Sequence, residues 1–364
     1  MPVDFVYVAV ETLQKFMSDV FIGSGVPEAD ARVCSDVLIS SDLRGIESHG
    51  IGRLKMYYDG IKKGLHKPVT QFEVVKDTPT TAVVDGHNGM GHVVGVRSMQ
   101  MAIEKARAYG MGSVAVRNSS HYGIAGYYPL MAVSQGMIGI SFTNARPSVA
   151  PTFGVRPMLG TNPIAFGAPT DEDCPFLYDA ATSITQRGKI EVLDREEKPI
   201  PEGWVIDNSG TYTTDTQAAL AGFPVDKNAL LPLGGLGELL GGHKGFGLGV
   251  MVEIFSASLS HNAFMHDLPG GSGLPVKVGH YFLAIDIEHF CPLAEFKATT
   301  GAILRDLRNS TRAPGQDRIF TAGEKEFEME KLARSRGIAV NKNLQKEIKI
   351  MQSELGLDQY KFPF

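Results

Sequence analysis

Two short segments combine a histidine with residues that could bind an oxo acid and move a proton. The first is Ser48-His49-Gly50, with Arg53 four residues after the histidine. If a helix begins at His49, this spacing places the imidazole and the guanidinium on one helix face. The planar guanidinium can hold a carboxylate through two hydrogen bonds, and an imidazole can exchange a proton near neutral pH. The alternative is that Ser48 caps the helix and His49 lies on the surface.

The second segment, Asn118 to Gly123, places His121 directly after the predicted strand GSVAVR. Polar groups often form sites where a strand ends and the chain turns into a helix. The alternative is an ordinary strand-to-helix loop in which the serines act as caps. The sequence therefore predicts a site that includes His121, without excluding a purely structural loop.

Two further segments could approach a phosphate or a ribose. In the segment Asp179 to Ser183, small residues allow close approach of the backbone, and Asp179 could accept hydrogen bonds from a ribose; a plain turn fits equally well. The glycine-rich run from Gly234 to Gly249 leads into a predicted helix and contains Lys244. Backbone amides at a helix N-terminus beside an ammonium can bind a phosphate, whereas a flexible lid is the competing interpretation.

A third glycine pattern, from Gly86 to Gly95, lies between a predicted strand and a predicted helix. It is similar to the dinucleotide-binding fingerprint, but its spacing is one residue too long and the usual ribose-binding acid is missing. We therefore do not expect a Rossmann-type site here.

The elements that position these segments follow from the hydrophobic periodicity. Residues 10–64 are predicted to form three helices. From about residue 80, strands alternate with helices, which predicts an α/β sheet covered on both faces. Residues 186–242 are predicted to be rich in loops, residues 244–260 to form a buried helix, and the C-terminal part to form charged amphipathic helices.

Composition excludes several classes of protein. The net charge of -5 argues against a nucleic-acid binder or a polybasic membrane anchor. Cys34, Cys174 and Cys291 are far apart, which predicts neither a disulfide framework nor a thiolate zinc site and favours a reducing compartment. The histidines lack metal-ligand spacing, so no metal is expected. Neither a signal peptide nor a membrane-spanning apolar run is evident, which predicts a soluble cytoplasmic protein.

Taken together, the segments resemble the malate/L-lactate dehydrogenase family, which is distinct from the Rossmann-type dehydrogenases. That family includes type 2 malate, sulfolactate and ureidoglycolate dehydrogenases. The resemblance extends over nearly the whole chain. It is carried by the ordered motifs DLRGIESHGIGRL, SSHYGIAGYY, MLGTNPIAFGAP, YDAATS, GHKGFGLGVMVEIFSASLS, GHYFLAIDIEHF and IFTAGEKEFE.

The resemblance implies an α/β fold in which a mixed-sheet, three-layer domain of the sulfolactate-dehydrogenase-like type binds the cofactor. It also implies a helical domain formed by both ends of the chain. An N-terminal helical part would cover residues 1–75 and the cofactor-binding domain residues 76–290. Helices in residues 291–364 would pack with the N-terminal part, and the protein would form a homodimer.

The resemblance also implies a reaction, namely hydride transfer between NAD or NADP and a small 2-hydroxy or 2-oxo acid that is malate-like or lactate-like. His49 and His121 match the two positions proposed as acid or base in different relatives, with Ser48 adding a hydrogen bond. Arg53 and Thr161 match substrate-contacting positions. The implied cofactor contacts are Ala145 (through its backbone), Asp179, Ala180, Ala181, Thr182, Lys244, Gly323, Glu324 and Lys325.

Two alternative functions stay open at this point. A related enzyme that reduces a cyclic imine such as piperideine-2-carboxylate would need the same carboxylate clamp, and ureidoglycolate or sulfolactate could replace malate as the substrate. A non-enzymatic DNA-binding regulator could use residues 10–64 as a helix-turn-helix, although the acidic balance disfavours it.

Overall fold

The computed structural model describes residues 5–269 and 273–364, and its elements alternate between strands and helices along most of the chain. The strands are β1 (Val6–Val8), β2 (Glu73–Asp77), β3 (Thr81–Asp85), β4 (Met111–Ser119), β5 (Met137–Thr143), β6 (Ile164–Ala168), β7 (Phe176–Ala180), β8 (Val205–Asp207), β9 (Asn228–Leu230), β10 (Val278–Asp286) and β11 (Ile338–Val340). The helices are α1 (Val10–Gly23), α2 (Glu28–Leu43), α3 (Leu54–Lys62), α4 (Gly91–Tyr109), α5 (Tyr127–Val133), α6 (Arg187–Arg195), α7 (Thr216–Gly222), α8 (Gly242–Ala257), α9 (Leu293–Arg308), α10 (Glu324–Arg336) and α11 (Lys342–Leu355).

One mixed sheet forms the centre of the molecule, with its strands in the order β2-β3-β4-β10-β5-β6-β7. β3 and β4 are parallel and are joined by α4. The remaining neighbours in this sheet are antiparallel, and β10 lies between β4 and β5 and pairs with both. The predicted α/β class and its mixed sheet are confirmed.

Helices cover both faces of this sheet. Successive side chains of a strand point to opposite faces, and in the central strands the side chains on both faces are apolar. Phe282 and Ala284 of β10 pack into the core beneath α4 and α5. Tyr281 and Leu283, which alternate with these two residues along β10, pack with Val252 of α8 on the opposite face. The result is a three-layer arrangement, with the carboxyl end of β4 leading directly to His121.

The two ends of the described chain pack together in a second core. β1 pairs with β11 in antiparallel register. Side chains from the N-terminal helices, including Phe16 and Tyr57, share this core with Val340 and Met351. We propose that these packed ends form the helical domain expected from the sequence, with boundaries near residues 75 and 290. Within the described residues, no helix has both the length and the apolar character that a membrane span requires.

The segment 186–242, which was predicted to be rich in loops, contains more helix and strand than expected. It contains α6, α7 and the antiparallel pair β8–β9, and its apolar side chains pack around Ile190, Val205 and Leu230. These elements are short and are interrupted by proline and glycine, so their tertiary contacts, rather than a local period, determine them.

The helix predicted to be buried, α8, has one covered face and one exposed face. Gly245, Gly249 and Val252 are buried, whereas Leu248 is 38% and Ile254 is 53% exposed. The prediction of complete burial is therefore wrong, because apolar residues occur all around the helix while only one side contacts the sheet.

Candidate active site

The two predicted histidines lie against each other. The rings of His49 and His121 are stacked, with centroids 5.4 Å apart. Ser48 Oγ lies 2.8 Å from His49 Nδ1, and Arg53 Nε donates to the backbone carbonyl of Ser48 at 2.6 Å. The structure thus brings together Ser48, His49, Arg53 and His121. Because Ser48 Oγ bonds to an imidazole, the alternative in which Ser48 acts as a helix cap is not supported.

The helix that follows Arg53 begins later than the start at His49 that the spacing suggested. Residues Ile51–Arg53 form one 3-10 turn, and α3 begins at Leu54, so His49 lies in the preceding loop. The buried carboxyl group of Asp42, near the end of α2, accepts the backbone N–H of Ile51 at 2.7 Å. This bond takes the place of a cap and fixes the loop, while Arg53 reaches back to Ser48.

Tyr57, one turn after Arg53, connects α3 to the second histidine. Its hydroxyl lies 2.5 Å from His121 Nδ1, and the backbone N–H of Gly123 points at the same nitrogen from 3.3 Å. The phenol ring is completely buried. The structure thus gives this buried tyrosine a polar contact with His121.

Both histidines are neutral at physiological pH. Desolvation in the cleft, followed by the charge of Arg53, lowers the pKa of His49 to about 4. Desolvation also lowers the pKa of His121 well below its usual value, and His49, His92, Arg53 and His280 act in the same direction. Within residues 5–269 and 273–364, no acidic side chain pairs with Arg53, whose charge therefore remains available to an anionic ligand.

A cavity of about 280 Å³ collects three of the residues expected to contact the cofactor, namely Asp179, Gly323 and Lys325. Asp179 is the penultimate residue of β7 and accepts the backbone N–H of Gly126 at 2.7 Å. Gly323 has a φ of 95°, which glycine adopts without strain, and its α-carbon lies close to Leu177 of β7. Arg44 and Ile46, just before Ser48, line the same cavity and connect it to the histidine pair.

Glu324 lies in the chain between Gly323 and Lys325, but it does not line this cavity, and its carboxylate is bound within the protein. It is bound by Arg308, by Arg318 at 3.1 Å and by the hydroxyl of Thr321 at 2.6 Å. The side chain is 5% exposed. Its position therefore fits a role in holding the Gly323 loop rather than a direct side-chain contact with a ligand.

Thr161, Thr182 and Ala145 belong to a second group that is joined by buried polar side chains. Thr182 Oγ1 donates to the carbonyl of Thr161, and the N–H of Ala145 donates to Asn162 Oδ1. Ala180 ends β7 opposite Ile164, and Ala181 continues the chain to Thr182. Farther along the same segment, Gly188 lies against Ser48.

The acidic centre of this group is Glu253 on α8. Its carboxylate accepts hydrogen bonds from Asn144 Nδ2 at 3.1 Å, from Asn162 Nδ2 at 2.8 Å and from the N–H of Met265 at 3.1 Å. Glu253 is 4% exposed. It therefore ties the end of β5 and the Thr161 loop to the helix.

Lys244 lies apart from the Asp179 cavity. It lines another cavity, of about 460 Å³, together with Gly234, Glu238 and Gly241, at the N-terminal end of α8. The connection between the two regions is the backbone bond in which Leu233 donates to Thr182 at 2.8 Å. An extended ligand would have to pass Thr182 to contact both Asp179 and Lys244.

The glycines between Gly86 and Gly95 serve packing. A β-carbon on Gly91 would lie 2.2 Å from the carbonyl oxygen of Ser120, and the N–H of Gly91 is bound by Ser120 Oγ. The start of α4 is therefore covered by the chain that leads to His121. This region fits the sequence interpretation that no dinucleotide binds here.

A nicotinamide dinucleotide fits the remaining residues. The Asp179 cavity offers a carboxylate for ribose hydroxyls, and the Lys244 cavity offers a cation and helix N–H groups for phosphate. In the described part of the chain, no group of three or more histidine, cysteine or acidic side chains is arranged to hold a metal ion.

Sequence reasoning missed Asp42, Tyr57 and Glu253. For Tyr57 a signal was present, because His49, Arg53 and Tyr57 recur at intervals of four residues. Asp42 and Glu253 carry no such signal, since their partners are backbone groups and amides that only the fold brings near.

A guanidinium beside two neutral imidazoles can hold a carboxylate and act on the oxygen of the neighbouring carbon, which is the chemistry of an oxidoreductase of hydroxy acids. The sequence profile described as malate/L-lactate dehydrogenase matches residues 8–349, and the chain belongs to this family.

Individual relatives cover almost the whole chain. Malate dehydrogenase from Pyrococcus horikoshii is 46% identical over 355 residues, which are 98% of this chain and 97% of the relative. L-sulfolactate dehydrogenase from Methanocaldococcus jannaschii is 39% identical over 360 residues, covering 96% and 97%. The crystal structure of malate dehydrogenase from Entamoeba histolytica superposes with a TM-score of 0.96 at 45% identity, covering 99% of this chain and 100% of that one.

Proposed function

We propose that the protein interconverts malate and oxaloacetate, with NAD or NADP as the hydride acceptor or donor. The observation that carries the proposal is the guanidinium of Arg53, which bonds to the Ser48 carbonyl and has no acidic partner in the described structure. It lies beside two histidines whose low pKa values keep them neutral. The malate dehydrogenases among its relatives favour this substrate.

In the proposed reaction, Arg53 binds the carboxylate next to the reacting carbon through its terminal nitrogens. The bound nicotinamide would supply the hydride for reduction or accept it for oxidation. His49 and His121 contact the oxygen at that carbon, and Ser48 holds His49 through Nδ1. The hydroxyl of Thr161 adds a hydrogen bond to the substrate.

We propose that the dinucleotide extends from the Asp179 cavity past Ala180, Ala181 and Thr182. Asp179 would accept hydrogen bonds from the ribose, and the small residues would allow close approach. Gly323 and Lys325 would complete the cavity wall, with Glu324 acting through its contacts to the loop. Lys244 would bind a phosphate, and Ala145 would contribute its backbone.

The same proposal includes a homodimer. Leu239 is 95% and Leu240 is 80% exposed, and they are followed by the exposed Leu248 and Ile254 of α8. Exposed apolar side chains that cluster in this way favour a protein contact. Light scattering after gel filtration is expected to give twice the mass of the chain; a monomer at micromolar concentration would contradict this part.

The cysteines, all unpaired, fit the reducing cytoplasm expected from the sequence.

The test of the reaction is a substrate panel with purified protein. Oxaloacetate, pyruvate, sulfopyruvate, oxalurate and piperideine-2-carboxylate are each assayed with NADH and with NADPH. We expect the highest kcat/KM with oxaloacetate. A higher value with sulfopyruvate or with the cyclic imine would replace malate by that substrate class, and no turnover with any of the compounds would contradict the dehydrogenase proposal.

A further inference from the structure

The hydrogen bonds around His121 determine which of its ring nitrogens carries the proton. Nδ1 lies 3.3 Å from the backbone N–H of Gly123 and 2.5 Å from the hydroxyl of Tyr57. A backbone N–H can only donate, so Nδ1 must accept. A hydrogen on Nδ1 would point at the amide hydrogen. Tyr57 therefore donates as well, and in a neutral ring the hydrogen is on Nε2.

The surroundings keep both partners in these protonation states. Burial raises the pKa of Tyr57, so the phenol keeps the proton that it donates. Burial and the neighbouring His49, His92, Arg53 and His280 lower the pKa of His121. Tyr57 is fully buried, and its ring contacts His92 with centroids 4.6 Å apart, so the hydroxyl is held in place.

We propose that His121 acts as a neutral Nε2–H donor to the oxygen of the reacting carbon, that Tyr57 is the positioning residue that fixes this tautomer, and that His49 delivers the proton. This assignment rests on the proposed dehydrogenase function. The sequence did not show which of the two histidines exchanges the proton; in this proposal His49 exchanges it and His121 binds the oxygen.

The division follows from the balance of protons. Once a hydride supplied by the bound cofactor had formed the new C–H bond, the carbonyl π electrons would lie on the oxygen, and the Nε2–H of His121 would bind the resulting oxyanion. If His121 gave up this proton, Nδ1 would have to take the proton of Tyr57 and leave a buried phenolate, which its surroundings disfavour. The oxyanion therefore receives its proton from the imidazolium of His49, which returns to the neutral form and is reprotonated from water.

Substrate binding favours this use of His49. The charge of Arg53 is one of the two causes that lower the pKa of His49. Desolvation is the larger cause, and a substrate carboxylate on Arg53 offsets the second one, so the pKa of His49 shifts upward, toward protonation, when the substrate binds. Ser48 Oγ occupies Nδ1 of His49, which leaves Nε2 for the oxygen.

The test combines a spectroscopic and a kinetic measurement. With 15N-labelled histidine, His121 of the cofactor-free enzyme at pH 7 is expected to show an unprotonated Nδ1 and a protonated Nε2, assigned by the signals lost in His121→Gln. Tyr57→Phe is expected to move the Nδ1 resonance toward that of a ring nitrogen without a hydrogen bond. It is also expected to lower kcat by about 10-fold with little change in KM, as expected from the loss of one hydrogen bond.

Tyr58→Phe is the matched control. Tyr58 is the next residue on α3, and its hydroxyl bonds to Glu354 rather than to a histidine. It should change neither the His121 signals nor kcat. An Nδ1-protonated or doubly protonated His121 in the wild type would overturn the proposal, as would Tyr57→Phe with unaltered signals and kcat. The tautomer is measured without turnover, so this result is independent of whether the substrate assignment is correct.

Discussion

The carboxyl group of Asp42 accepts the backbone N–H of Ile51 through Oδ2, and this bond closes the loop that carries Ser48 and His49. Burial raises the pKa of Asp42 to about 8, from 3.8 in an unfolded chain. The native state therefore binds the extra proton between these values, and the free energy of unfolding falls as pH rises from about 4 to about 8.

Asp42→Asn keeps an oxygen acceptor for Ile51 but cannot titrate. Relative to the wild type, its free energy of unfolding should rise between pH 5 and pH 8, by up to roughly 1.4 kcal/mol for each pH unit. Urea unfolding at both pH values measures this difference. Asp173→Asn, at a fully exposed side chain, serves as the control. A difference from the wild type that is the same at both pH values would show that Asp42 is ionised in the native state.

Removing the guanidinium of Arg53 should weaken substrate binding and the transition state together. Arg53→Ala is expected to raise KM and lower kcat, with a loss in kcat/KM of roughly 10²-fold or more, because charge-assisted hydrogen bonds are lost. Arg53→Lys should recover only part of this, since an ammonium lacks the planar fork. Steady-state kinetics decide the matter. Arg32→Ala, which removes an exposed ion pair with Glu28, should behave as wild type; equal kinetics in Arg53→Ala would rule out the clamp.

The low pKa of His49 predicts the pH dependence of the oxidation direction. A base that loses its proton at a pKa of about 4 is already neutral above that pH. The kcat/KM for malate oxidation should thus show no acid limb due to His49 between pH 5 and pH 7. His49→Ala should lower it by on the order of 10²-fold or more. His87→Ala, at a surface histidine bound to Glu73, is the control. A limb between pH 6 and pH 7 that disappears in His49→Ala would contradict the assigned pKa.

Glu253→Gln should disturb the Thr161 loop from a distance. The amide nitrogen replaces one of the two acceptor oxygens, so it faces either Asn162 Nδ2 or the pair Asn144 Nδ2 and Met265 N–H, and the donors on that side lose their acceptor. The cost is about 1–3 kcal/mol for each such group, seen as a lower Tm. Because the loop loses its support, kcat/KM should fall as well. Glu288→Gln, at an exposed acceptor, should leave both unchanged. An unaltered Tm for Glu253→Gln would contradict this supporting role of the Glu253 side chain.

Cofactor affinity should depend on Asp179. Asp179→Ala is expected to raise the Kd for NADH by about 10-fold or more, because ribose hydrogen bonds to a carboxylate are lost. Fluorescence titration of NADH and NADPH measures the effect and the preference between them. Asp173→Ala removes a nearby exposed carboxylate and should leave both values as they are. An unchanged Kd in Asp179→Ala would place the ribose elsewhere.

The segments with strong local periods agree closely between sequence and structure. The three helices predicted within residues 10–64 are α1, α2 and α3, and the predicted strand GSVAVR lies within β4. The pairing of His49 with His121 required the family resemblance, since 72 residues separate them and no spacing rule connects them.

Other features could not be predicted for identifiable reasons. β1 and β11 have three residues each, too few to show a period, and their partner lies at the other end of the chain. The late start of α3 depends on Asp42, whose acceptor role exists only after α2 and the loop have packed. Both faces of α8 carry apolar residues, and only the packing of the fold determines which face is covered. The sequence therefore could not show which face would be exposed.

The antiparallel pairing of β1 with β11 has a consequence for how the enzyme is made. The second core contains Tyr57 together with Val340 and Met351, so the segment that fixes His121 is completed by residues that are synthesised much later than Tyr57. Contacts between such distant residues form late, after a large loop-closure entropy has been overcome. A ribosome-bound chain that lacks β11 and α11 would therefore contain the sheet and the cofactor cavity but would leave the histidine pair without this support, and catalytic competence would arise only after both elements have emerged.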